Sequence, residues 1–103
     1  MKFIFPQDQL EKLVNVSTRH ITDHDLVLLQ DQIGFQAHSK MPMESTEWYG
    51  AFMLAEEDRS EDLAEASYSE HFIRIMDAAR LAGCAWVEFD LEGRVHPELR
   101  LFR

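Results

Sequence analysis

A chain of 103 residues and 12.1 kDa has room for one hydrophobic core and not for two. Its 46% apolar and 28% charged residues exclude general disorder, and nineteen acids against ten Lys and Arg, a formal charge of −9, disfavour direct binding to nucleic-acid phosphates. Cys84 is the only cysteine, no apolar run reaches membrane-spanning length and Met1–Pro6 is too poor in apolar residues for a secretory signal, so the expectation is one cytoplasmic domain over 1–103, with 1–13 as an N-terminal extension.

Phe3-Ile4-Phe5 reads as a short strand, and Pro6 suits the first position of one or two helical turns through Leu13. Leu13-Val14-Asn15-Val16-Ser17 alternates and is rich in β-branched residues, as a strand requires. The next stretch, Ser17-Thr18-Arg19-His20-Ile21-Thr22-Asp23-His24-Asp25, is dense in histidines, aspartates and hydroxyls. Thr22 is placed as the N-cap of a helix: its hydroxyl can accept from the Asp25 N–H while the Asp25 carboxylate reaches back, a capping box. Ile21 and Leu26 have the spacing of a hydrophobic staple, and Asp23 and Asp25 fall in the first turn, where the helix dipole favours each by roughly 0.3–1 kcal/mol. Leu26, Leu29 and Ile33 then share a face, with Gly34 as the stop.

Residues 35–41 alternate as a half-buried strand, 42–47 form a turn, and Trp48 to Ala55 reads as a central strand in which Gly50 marks a bulge or a close backbone approach. Leu63 is out of phase with Phe72, which predicts a short helical turn separate from the helix that follows. Ser67-Tyr68-Ser69-Glu70 is a second capping-box pattern, and Phe72, Ile75, Met76, Ala79 and Ala82 form an apolar stripe ending at Gly83. Residues 84–89 are strand-like, Asp90-Leu91-Glu92-Gly93 has the form of a type I turn, and a return strand is expected from Arg94, interrupted at Pro97 and resuming at Leu99–Phe102. The order βαββαββ implies an α+β domain, with two main helices on one face of a largely antiparallel sheet.

His20 and His24 stand at the i, i+4 spacing of paired metal ligands, and Asp23 could add an oxygen. With Thr22 as the cap, however, His20 lies outside the helix that would give the spacing its geometry. Phe89-Asp90-Leu91-Glu92-Gly93 resembles the motif of aspartate-nucleophile phosphatases, but only ten residues follow it, too few for that chemistry's remaining groups. Cys84 follows a helix C-terminus, whose negative potential disfavours thiolate, and reads as a buried structural thiol. No hydroxyl lies in a nucleophile-elbow motif, and the glycines are scattered singly, not gathered into a phosphate loop.

Charge is concentrated in residues 56–70. Glu56, Glu57, Asp58, Glu61, Asp62, Glu65 and Glu70 against Arg59 alone place six of the nine net negative charges within fifteen residues. Such a run is either a solvated surface or a face for a basic protein, whose nucleic-acid groove carboxylates can occupy as phosphates would.

VSTRHIT near the start, WYGAFM in the middle and AARLAGCAWVEFDLEG with the trailing LRLF resemble, over residues 14–103, a family of small proteins encoded on bacterial plasmids, phages and integrated elements. The pairing of STxHIT with GCxWxxFDxxG carries the likeness. The resemblance implies a mobile-element setting and supplies no catalytic residue.

The resulting expectation is a non-enzymatic binding protein, without catalytic residues or cofactor. Its acidic surface would engage and inhibit a basic host protein, such as a nucleic-acid-binding defence factor. The alternatives are a small metal-dependent hydrolase built on His20, His24 and Asp23, and a homodimer formed through an exposed sheet edge.

Overall fold

The computed structural model describes residues 11–31, 38–39 and 50–103. In chain order its elements are β1 (Leu13–Ser17), a 3₁₀ turn (Thr18–His20), α1 (Asp23–Gln30), β2 (His38–Ser39), β3 (Gly50–Leu54), α2 (Ser60–Glu65), α3 (Glu70–Leu81) and β4 (Trp86–Asp90). The expected Phe3–Phe5 strand, the turns after Pro6, Ile33, Gly34 and the 42–47 turn lie outside the described residues. Among those residues no helix is long and apolar enough to cross a membrane.

The sheet order is β1-β4-β3-β2, with β1 parallel to β4 and the other neighbours antiparallel. Strand alternation puts one side chain in two on the core face. Across the register Val16, Phe89 and Ala51 make one row, and Val14, Val87 and Met53 the next. Leu28 and Leu29 of α1, Leu63 of α2, and Phe72, Ile75, Met76 and Ala79 of α3 join these residues in a single cluster. The helices therefore share one face of the sheet in an α+β fold, as the element pattern implied. Phe72 stacks between Tyr68 (4.4 Å) and Phe89 (5.0 Å), tying α3 to β4; each such pair contributes roughly 0.5–1.5 kcal/mol beyond its burial.

Three details differ from expectation. First, α1 stops at Gln30: at the C-cap, Asp31, ψ is −2°, and the backbone is leaving helical geometry. Second, Ser67 caps no helix. It ends α2 in the left-handed region (φ 74°), with the Ser67 N–H on Ala64 O and the Tyr68 N–H on Leu63 O, a Schellman closure, so the N-cap of α3 moves to Ser69. The phase break at Leu63 is this join, and Ala82, beyond the last turn of α3, is exposed.

Third, no return strand pairs with β4. The turn forms, with the Gly93 N–H on Asp90 O (3.0 Å), but both neighbours of β4 are already strands, and residues 94–103 cross instead to the far side of β1. Gly50 marks the expected close approach: a Cβ there would lie 2.2 Å from the carbonyl oxygen of Phe89.

Candidate functional site

The histidine- and hydroxyl-rich stretch follows β1 directly, and the structure uses nearly all of its polar atoms internally. Ser17 Oγ accepts from the Arg19 N–H at 3.1 Å, ordering the 3₁₀ turn. The Thr22 capping box is complete: Thr22 Oγ1 accepts from Asp25 N (3.0 Å), and Asp25 Oδ2 accepts from Thr22 N (3.3 Å).

Asp25 reaches further than its own helix. Its side chain is fully buried, and it also accepts from Ser69 N (2.7 Å, on Oδ1) and from the Ser69 hydroxyl (2.6 Å, on Oδ2), while Ser69 Oγ accepts from Phe72 N. One carboxylate thus closes the N-termini of both α1 and α3, where two helix dipoles meet a negative charge. Burial, and then the charge of Asp25, push the Tyr68 phenol well above its ordinary range.

His20 is also fully buried, and both ring nitrogens are engaged. The His96 N–H can only donate, so His20 Nε2 accepts it (2.8 Å); the proton of the neutral ring then sits on Nδ1 and is donated to Arg100 O (2.9 Å). His96 in turn bonds Asn15 O through Nε2 (2.8 Å). His24 is solvent-exposed, and the Asp23 carboxylate pairs with Arg103 at 2.6 Å. The metal reading of His20, His24 and Asp23 fails on this geometry, because a nitrogen that accepts a backbone N–H has no lone pair left for an ion. No group of three His, Cys, Asp or Glu side chains placed to hold a metal occurs among the described residues.

The partners of this stretch, Ser69, His96, Arg100 and Arg103, lie from 44 to 85 residues away in sequence, so no local pattern could announce them. Asp90 Oδ1 accepts from Glu92 N (2.9 Å), a turn contact. Cys84 is buried, and its N–H closes α3 on Ala79 O.

The acidic residues occupy a different part of the surface: the link after β3, α2 and the start of α3. All seven, Glu56, Glu57, Asp58, Glu61, Asp62, Glu65 and Glu70, are exposed. Asp58 has a local structural role, since its Oδ1 takes both the N–H (3.0 Å) and the hydroxyl (2.6 Å) of Ser60; with the Arg80 guanidinium nearby, these bonds hold its carboxyl below the usual range. Glu57 pairs with Arg59 at 3.6 Å and Glu70 with Arg74 at 3.0 Å, contacts that count for little at exposed positions. Glu56, Glu61, Asp62 and Glu65 form no ion pair among the described residues. The arrangement offers negative potential, and Asp58, Glu61 and Asp62 line an open hollow together with Arg59 and Ser60.

The sequence model of a family described as a family of unknown function (DUF5983), C-terminal domain, matches residues 13–103, and the chain belongs to that family. No curated protein and no solved structure matches it.

Proposed function

We propose that this member of the DUF5983 C-terminal domain family is a non-enzymatic binding protein whose acidic surface engages a basic protein. In the mobile-element setting suggested by the STxHIT and GCxWxxFDxxG resemblance, such a partner is a nucleic-acid-binding host factor, and occupation of its phosphate-binding surface inhibits it. One observation carries the reading: the buried His20 and Asp25 of the stretch richest in catalytic residue types spend their polar atoms on hydrogen bonds within the fold, while seven carboxylates between Glu56 and Glu70 stand exposed. Charges so placed steer a basic partner and set its register more than they add raw affinity.

The test is capture from a bacterial lysate with the wild-type chain and with Glu56, Glu61, Asp62 and Glu65 reversed to lysine. Asp58 is left intact because it orders Ser60. The expected outcome is a basic nucleic-acid-binding protein retained by the wild type, released by salt and absent from the reversed variant. An identical set of retained proteins for both chains would reduce the acidic segment to a solvated surface.

A further inference from the structure

We propose that residues 94–103 form a detachable strap, which opens as a unit from residues 15–23 and bares the apolar groove that it walls. Its attachment is polar at nearly every point. Arg94 N donates to Asn15 Oδ1 (2.6 Å), and Arg94 O accepts from Ser17 N (2.9 Å). His96 and Arg100 hold His20 from its two sides, and Phe102 N donates to Arg19 O (2.8 Å). At the end of the segment Arg103 donates to Thr18 O, Ile21 O and Asp23 Oδ1, while Arg19 Nε returns a bond to Arg103 O.

Apolar anchorage is slight by comparison. Leu99 and Phe102 are half-buried, Phe102 against the edge of His71, whereas Val95 and Leu101 remain 43% and 45% exposed. Bonds of this kind are exchanged for bonds to water when a segment lifts, so each contributes only about 1 kcal/mol net, and their sum is offset by the roughly 1–2 kcal/mol of conformational freedom that each freed residue regains. The remaining fold keeps its own supports: β1 stays paired along its length with β4, and α1 keeps the Thr22–Asp25 box. What opening removes is one wall, His96 and Leu99, of a groove of about 430 Å³ whose other sides include Val14, Ile75, Ala79 and Cys84.

Cys84, 4% exposed, makes the opening measurable. In the full chain, its reaction with an aromatic disulfide reagent is followed over sub-denaturing urea, together with amide exchange at His96 and Phe102. The strap predicts labelling nearly independent of urea and faster than global unfolding allows, with exchange at the two amides tracking it. Arg103→Ala is expected to speed labelling about tenfold while the amides of α3 stay protected. If that variant does not fold, Asp23→Asn, which weakens the exposed end of the Arg103 attachment and leaves its bonds to Thr18 O and Ile21 O, is expected to speed it about twofold while the amides of α3 stay protected. Labelling that follows the full urea dependence of global unfolding, or that is unchanged in whichever variant folds, overturns the proposal.

Discussion

Asp25 joins two helices through a bond to a residue 44 positions along the chain. A buried carboxylate that loses its donors, or donors that lose it, leave groups without water to replace the bond, which is why the penalty for removal exceeds the net value of the contact. Asp25→Ala is expected to destabilise by about 3 kcal/mol or more, and Ser69→Ala by about 1–2 kcal/mol. Measured by urea unfolding, the double variant should lose less than the sum by about 1 kcal/mol or more, since each single change already breaks the shared bond. Strict additivity would mean that the two caps are independent. Half of this device was legible in the sequence: Thr22 and Asp25 stand three residues apart, within the span of a capping box, whereas nothing near Asp25 or Ser69 indicates that they meet. His20 teaches the same lesson in reverse, for its spacing to His24 suggests a metal pair, and only the fold shows both ring nitrogens turned to the backbone of the 94–103 strap.

At the scale of elements, the helices were legible where periodicity and caps agree, and the last strand was not. The stripe Phe72, Ile75, Met76 and Ala79 defines α3 by itself, and the phase of Leu63 separates α2 from it. Alternation in residues 94–102 records a chain able to extend, but pairing depends on which sheet edge is open, and β1 had taken the place beside β4. The join between α2 and α3 carries an avoidable cost. Both helices end in the same Schellman closure, yet the left-handed position is glycine in one (Gly83, φ 85°) and serine in the other (Ser67, φ 74°). Left-handed geometry costs an L-residue about 1–2 kcal/mol, part of which glycine returns through its freedom in the unfolded chain. Ser67→Gly should therefore raise stability by about 0.5–1 kcal/mol, and Gly83→Ala should lower it by about 1 kcal/mol. A Cβ at Gly83 meets nothing within 4 Å, so that loss reports backbone strain alone. Urea midpoints that move in these directions with unchanged slopes would confirm it, and a destabilised Ser67→Gly would contradict it.

Over the whole molecule, the acidic segment places most of the net charge beside a fold that is otherwise closely balanced. Like charges on a compact surface repel one another, and their removal to the wider spacings of the unfolded chain relieves that repulsion. Glu65 adds to the cost, since it sits in the last turn of α2, where the helix dipole disfavours an acid. A chain under selection for stability alone has little reason to keep such a cluster, whereas one that meets a basic partner recovers the interaction on binding. The double change Glu56→Gln and Glu65→Gln, which spares Glu61 in the first turn of α2 where the dipole favours an acid, should therefore raise stability at low ionic strength by about 0.5 kcal/mol, and the gain should vanish near 1 M salt, where the screening length falls to about 3 Å. Paired urea titrations at the two salt concentrations separate this from a packing effect, which salt would not remove. If the glutamine variant is no more stable at low salt, the carboxylates are far enough apart to coexist without strain, and their clustering ceases to argue for a partner.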